Sequence, residues 1–236
     1  MDAGGVTTLT LCGYEGAQRV WAFNQMGSSR RTLARMEGLR FWRLLGTGHG
    51  RGFSLRPDFS RYGLLAVWES AAAADRFMSG SPLMQEYRRR SAECWSVWLT
   101  PYDSRGAWGG SNPFLPLGTR TGNGPVAVLT RASIRPSRLR AFWRAVPSTT
   151  PGLDRAAGLL ASVGTGEWPF VRPATFSVWR SEADLIGYAY GDAAHGEVIR
   201  RRAAEGWYSE ELFARFAPIR SEGTWKGLDP LAGLLP

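Results

Sequence analysis

The stretch Ile199-Arg-Arg-Arg-Ala-Ala-Glu-Gly-Trp-Tyr208 repeats, with few changes, the earlier stretch Tyr87-Arg-Arg-Arg-Ser-Ala-Glu-Cys-Trp-Ser96. Working outward from both copies, three more matches occur in the same order. Leu44-Leu-Gly-Thr-Gly48 matches Ser162-Val-Gly-Thr-Gly166, and Leu65-Ala-Val-Trp-Glu-Ser70 matches Phe176-Ser-Val-Trp-Arg-Ser181. Gly106-Ala-Trp-Gly109 matches Gly223-Thr-Trp-Lys-Gly227. Such ordered self-similarity is the signature of a tandem duplication.

Each copy carries one coarse pattern. In the first, Thr7–Leu11 alternates as a strand and Gln18–Met36 reads as a helix with a break near Gly27-Ser-Ser29. Phe41–Gly46 and Gly63–Trp68 read as strands, and Ser70 caps a helix over Ala71–Met78. Ser81 and Pro82 restart that helix as far as Arg90, and Trp95–Leu99 closes the unit as a strand. The second copy gives strands at Val126–Thr130, Leu159–Gly164, Ala174–Trp179 and Leu212–Pro218. Its helices fall at Pro136–Val146 and, interrupted, at Ser181–Glu205. Both copies are therefore β-α-β-β-α-β, the ferredoxin-like unit. The expected fold class is α+β, with tandem ferredoxin-like repeats forming a dimeric-α+β-barrel-type fold within one chain. Residues 1–102 form the first repeat, 103–124 a Gly- and Pro-rich linker, and 125–236 the second.

With 44% apolar residues and 11 tryptophans, the 236-residue chain belongs with folded, not disordered, proteins. Its net charge of +9 is almost wholly arginine, Lys226 being the only lysine. The triplets Arg88–Arg90 and Arg200–Arg202 fall on predicted helices and read as solvated faces. No zinc-finger, helix-turn-helix or RNP-like signature accompanies them, so no nucleic-acid partner is expected. Cys12 and Cys94 are too few for a disulfide framework and suit a reducing setting, with room for a single bridge. The N-terminus lacks the basic start and apolar run of a signal peptide. No apolar run approaches the roughly 20 residues of a spanning helix. The expected location is cytoplasmic, at most peripheral to a membrane.

No Walker-type loop and no Cys-x-x-Cys occurs. Gly46-Thr-Gly-His-Gly-Arg-Gly52 has the wrong glycine spacing for a dinucleotide loop and leads into a stretch that cannot open a helix. It reads as a glycine-flexible hairpin bordering a pocket. His49 and His195 are the only imidazoles. A two-histidine, one-carboxylate iron site would consume both, whereas haem iron needs only one proximal imidazole.

Aligning the arginine triplets sets Leu83 opposite His195. Leu83 and Tyr87 share a helix face, as do His195, Val198 and Ile199, so His195 stands where the other copy carries an inward apolar residue. Its place in a first helical turn favours the neutral, ligating imidazole. The plainer alternative is a core histidine bonded to a backbone carbonyl. Arg131 suits a propionate carboxylate or the oxygen-binding side of a haem pocket. His49, on a glycine-rich loop, is by default solvated. Cys94 is a weaker axial candidate than His195. Glu210 and Glu211 are expected to begin a helical turn or edge and to cap it or face solvent.

Several segments resemble the spheroidene monooxygenase family, the acyclic carotenoid 2-ketolases. They are Phe41-Trp42, Gly46-Thr-Gly48, Gly52-Phe53, Leu65-Ala-Val-Trp68, Leu129-Thr-Arg-Ala132 and Phe142-Trp-Arg144. The strongest block runs from His195-Gly-Glu197 through Glu205-Gly-Trp207, Ser209-Glu-Glu-Leu212 and Ala214-Arg-Phe216 to Gly223-Thr-Trp225 and Asp229-Pro230. The resemblance implies haem b, dioxygen, an apolar small-molecule substrate and an external electron donor such as ferredoxin. Successive hydroxylations of one carbon would then yield a ketone. His195 lies inside the strongest block and is the implied iron ligand; His49 is a distal candidate only. The basic surface and the tryptophans also allow transient membrane contact, and a homo-oligomer is allowed. Two rivals share the barrel: a redox-neutral haem dehydratase or nitrogen–oxygen bond enzyme, and a non-catalytic barrel carrying a hydrophobic ligand or haem.

Overall fold

The computed structural model describes residues 5–115, 120, 122–145, 150–168, 170–191 and 205–235. The first half supplies β1 (Val6–Gly13), α1 (Gln18–Leu33), β2 (Leu39–Gly48), β3 (Pro57–Trp68), α2 (Ala71–Gly80), α3 (Pro82–Arg90) and β4 (Glu93–Gly106). The second supplies β5 (Val126–Ile134), a 3-10 turn at Pro136–Arg138, α4 (Leu139–Ala145) and α5 (Thr150–Arg155). It continues with β6 (Leu159–Trp168), β7 (Arg172–Trp179), α6 (Glu182–Gly191) and β8 (Tyr208–Gly223). The eight strands close into an antiparallel barrel in the order β1-β3-β2-β6-β7-β5-β8-β4. The expected α+β barrel is thus borne out as an architecture.

Inward-facing side chains of both halves fill the barrel. Leu9, Leu11, Leu45, Leu65, Leu129 and Phe176 belong to one apolar cluster. Eight strands enclose a space just wide enough for side chains. Every residue of β1 is buried, because its outer face is covered as well, by α1, α2 and α3. The polar groups on that outer face are satisfied internally. Thr8 Oγ1 accepts from Trp68 Nε1 at 2.9 Å, and Thr10 Oγ1 lies 2.9 Å from Ser96 Oγ.

The repeated motifs mark where the halves meet. At one seam the two Gly-Thr-Gly stretches pair with each other, Gly46 opposite Gly166 and Thr47 opposite Thr165. At the other, β4 pairs with β8 from Trp95 opposite Gly223 to Gly106 opposite Leu212. Gly106 and Gly223 have φ of 87° and 81°, a region that only glycine enters freely. A Cβ on Gly106 would overlap the Glu211 carbonyl oxygen, and one on Gly223 would overlap that of Cys94. The tight departure turns Trp108 and Trp225 into the barrel cluster, where both are buried.

Several boundaries differ from the sequence reading. The helix α1 runs unbroken through Gly27, whose neighbour Ser28 bonds back to the Asn24 carbonyl at 3.1 Å. The strand β4 continues to Gly106, beyond Pro101, which sits beside a bulge where its missing N–H costs nothing. Within the stretch read as linker, Trp108 and Phe114 are core residues, Phe114 packing edge-on to Phe216 at 5.0 Å. Glu210 and Glu211 lie in β8, not in a helical turn. Cys12 and Cys94 stand opposite each other in the β1–β4 register, Cα atoms 4.2 Å apart, and are paired as a disulfide. Cys94 is therefore not a free thiolate for a metal. Among the described residues no helix is long and apolar enough to cross a membrane.

Candidate functional site

Two parts of the molecule bring chemistry-bearing residues together. The first is one end of the barrel, where β2 presents Arg43, β5 Arg131, β6 Glu167 and β8 Glu210 around a cleft of about 250 Å³. Arg43 Nε lies 2.7 Å from Glu167 Oε1, Arg131 Nη2 lies 3.4 Å from Glu167 Oε2, and Arg131 Nη1 pairs with Glu210 Oε1. Charges thus alternate around the opening. The backbone N–H groups of Gly109 and Gly110 donate to Glu210 at 3.0 and 2.7 Å, and Trp108 Nε1 donates to Glu167 at 2.8 Å.

Burial dominates the Arg43 environment and lowers its pKa, helped by Arg131 and Arg172 and opposed by Glu167. For Glu210, burial raises the pKa, but the two glycine N–H groups and Arg131 outweigh it and hold the carboxyl below its ordinary value. Arg131, only 2% exposed, is thereby engaged by two glutamates. The arrangement locks the Trp108 turn against β5, β6 and β8. The sequence reading singled out Arg131 but missed Arg43 and Glu167, although continuing the inward alternation of β2 and β6 past Leu45 and Val163 reaches both.

The second place is the outer face of the second half. Matching registers allow a residue-by-residue comparison: Val6 opposes Trp68 in the first half, and Val126 opposes Trp179 in the second. In the first half Thr10, Leu44, Leu64 and Ala66 are buried beneath helices. A cavity lined there by Thr10, Leu44 and Leu64, about 20 Å³, holds no more than a water. At the same register the second half has Thr130, Gly164, Thr175 and Ser177, and of these Thr130, Thr175 and Ser177 are only half-buried. Leu44 and Leu64 have given way to the smaller Gly164 and Thr175 at the centre of the face.

Aromatic groups flank that centre. On one side Trp179 stacks on Tyr188 at 5.1 Å and packs with Val126, Val128 and Leu185. On the other Phe142 meets Trp207 at 6.0 Å and Phe53 at 5.6 Å. Phe53 arrives on the β2–β3 connection of the first half, which crosses the β2–β6 seam. Ser162 Oγ donates to the Arg51 carbonyl at 2.6 Å, and Gly52 lies on Gly164 so closely that a Cβ at 164 would overlap the Gly52 carbonyl oxygen. The glycine-rich hairpin expected from the sequence is this connection. His49 sits at its start, exposed, with its N–H on the Arg56 carbonyl at 2.9 Å.

His195 and Arg200–Arg202 lie outside the described residues. The described residues on either side, α6 and Glu205–Trp207, pack with the two aromatic groups just named. Among the described residues no three His, Cys, Asp or Glu side chains gather to hold a metal ion.

No family model matches the chain. It is 37% identical over 230 residues to the spheroidene monooxygenase of Rhodobacter capsulatus, an overlap spanning 96% of this chain and 95% of that one. With the spheroidene monooxygenase of Rubrivivax gelatinosus it shares 42% identity over 225 residues, 95% of this chain and 86% of the other. The chain belongs to the spheroidene monooxygenase family. Membership in the spheroidene monooxygenases supports an oxidoreductase of the oxygenase type. A crystal structure of aldoxime dehydratase shares the fold with a TM-score of 0.60 at 12% identity, covering 91% of this spheroidene monooxygenase relative and 81% of the dehydratase. A second aldoxime dehydratase, in complex with butyraldoxime, gives a TM-score of 0.57 at 11% identity over 98% and 84% of the two chains. At such identities the likeness is one of fold alone.

Proposed function

We propose that this protein is a haem b-dependent monooxygenase that hydroxylates, and by repeated hydroxylation ketolates, an apolar carotenoid-like small molecule, with His195 as the iron ligand. The observation that carries the reading is the thinned outer face of the second half, in a chain whose relatives are named spheroidene monooxygenase.

The donor set fits haem better than a bare ion. Both cysteines are engaged with each other, His49 is exposed, and the described residues gather no metal-binding trio. One imidazole remains, which suffices when a porphyrin supplies the other ligands. Haem, when bound, supplies the centre at which dioxygen is activated. Each oxygen insertion consumes one dioxygen, two electrons and two protons and releases one water. The electrons come from an external donor of the ferredoxin type. Two insertions at one methylene give a geminal diol, which loses water to become the ketone.

The chain's own part is to hold and shield. The small side chains of Thr130, Thr175 and Ser177 would give a planar group room, and the Trp179–Tyr188 stack and the Phe53–Phe142–Trp207 group would flank it. His49, on the crossing connection, is the candidate for the oxygen-binding side. Arg131 acts through the barrel-end lock. We further read the chain as a tandem ferredoxin-like duplication, 1–102 and 125–236 joined by 103–124. The equal strand orders β4-β1-β3-β2 and β8-β5-β7-β6 support it, as does the self-pairing of the Gly-Thr-Gly stretches.

The test is the absorption spectrum of protein produced with haem supplied, wild type beside His195→Ala. The expected result is a strong Soret band in the wild type that is lost or displaced in the variant. Colourless wild-type protein would refute the haem reading. An unchanged band in the variant would remove His195 as the ligand.

A further inference from the structure

Two large apolar side chains stand exposed where β6 gives way to β7. Trp168 is 64% and Phe170 43% exposed. Phe170 has φ of 68°, a left-handed conformation that bulky residues rarely adopt. The turn is held rather than frayed: Val171 N–H donates to the Trp168 carbonyl at 3.3 Å, and Trp143 Nε1 donates to the Phe170 carbonyl at 2.9 Å. Trp143 also meets the Phe170 ring edge-on at 6.2 Å. The protein therefore holds an unfavourable backbone conformation and presents aromatics outward at the same point.

Positive charge surrounds this tip. Arg172 faces Trp168 across the hairpin and is exposed. The Ile134 N–H donates to the Val171 carbonyl at 2.9 Å, so the 3-10 turn and α4 begin beside the tip. They carry Arg135, Arg138, Arg140 and Arg144, all exposed. Arg140, Trp143 and Arg144 share one helix face. No acidic residue occurs between Arg131 and Ala145 or between Trp168 and Arg172. The nearest in sequence, Glu167, is turned inward onto Arg43 and Trp108.

The geometry points to a docking surface for an anionic lipid bilayer, with Trp168 and Phe170 entering the headgroup layer and Arg135, Arg138, Arg140, Arg144 and Arg172 pairing with lipid phosphates. An exposed tryptophan beside arginines is the composition that settles at a membrane–water interface. A convex hairpin tip suits a yielding surface, whereas single-stranded nucleic acid needs a groove that tracks its backbone. The surface goes beyond the oxygenase reading and stands without it. If that reading holds, docking brings the outer face of the second half to the phase in which an apolar substrate dissolves.

The experiment is co-sedimentation of the full chain with vesicles rich in phosphatidylglycerol and with pure phosphatidylcholine vesicles, at low and high salt. The wild type is expected to sediment only with the anionic vesicles and to be released by salt. W168A/F170A is expected to weaken binding by about tenfold while keeping the salt dependence. R140Q/R144Q is expected to weaken it by at least about tenfold at low salt and to flatten the salt dependence. Circular dichroism melting of each variant confirms that the fold is kept. Wild-type protein that stays in solution overturns the proposal, as do folded W168A/F170A that binds like wild type and tighter binding to a single-stranded oligonucleotide than to vesicles. Turnover of detergent-solubilised substrate reports on the oxygenase reading alone, so the two can fail separately.

Discussion

Replacing Glu210 by glutamine tests the barrel-end lock. Breaking a buried ion pair by neutralising one partner costs about 3–5 kcal/mol, because the other charge is left buried and uncompensated. Two features of the site reduce that figure. The Glu210 side chain keeps 22% of its surface exposed, and Arg131 retains Glu167 at 3.4 Å. The glutamine carbonyl oxygen can still accept from Gly109 or Gly110. A loss of about 2 kcal/mol is therefore expected at neutral pH, or a drop in Tm of about 4–8 °C for a chain of this size. Circular dichroism melting measures it. The pH dependence supplies a second readout. Glu210 is held ionised in the fold, so its folded pKa lies below its unfolded value of about 4.3. The stability it adds is complete above that unfolded value and is lost as pH falls through the folded pKa. The gap between wild type and variant should therefore narrow as the solution is acidified below about pH 4. A variant as stable as the wild type at neutral pH would refute the reasoning, and so would a gap that stays constant on acidification.

Two further variants probe the second half. Gly164→Ala forces a methyl into the Gly52 carbonyl and should cost about 2 kcal/mol, within the usual range for overpacking. It should also speed tryptic cleavage after Arg51, exposed on the displaced connection; unchanged melting and cleavage would show that the seam yields freely. Thr175→Leu restores the residue type that stands at the same register in the first half. It should leave Tm unchanged or higher while lowering the haem retained per chain, read as the ratio of Soret to protein absorbance. Full haem content in that variant would place the cofactor away from this face.

The fold was legible because the same ordered motifs occur twice in the sequence. Val-Trp at the ends of β3 and β7, the capping serines at Ser70 and Ser81, and the Gly-Thr-Gly seams each stand at an expected place. What the sequence hid has physical causes. Pro101, Asp103, Ser104 and Gly106 look like linker composition, yet a bulge accommodates the proline and pairing with β8 imposes the strand. The helix α1 passes through Gly27 because its buried residues Ala22, Ser29 and Leu33 anchor it on both sides of the glycine. Glu210 looks like a capping or solvent-facing residue until β8 brings it to Arg131 from a position 79 residues away. Local propensity carries no information about such partners.

The candidate site was half legible, and the missing half was already in the alignment. Comparing the copies drew attention to the histidine that one has and the other lacks. The same comparison also sets Leu64 against Thr175, a substitution whose weight appears only once both residues are seen on outer faces. A buried leucine contributes about 1.5–3 kcal/mol, so the second half forgoes a substantial share of the stabilisation that the first retains. Barrel closure lets it do so. The β4–β8 ladder and the two tryptophan turns fasten the second sheet from the inside, which leaves its outside free of packing duty. On the proposed reading, the outer face of the second half is thus released for a ligand while that of the first stays packed. A functional face is where local packing rules are expected to fail.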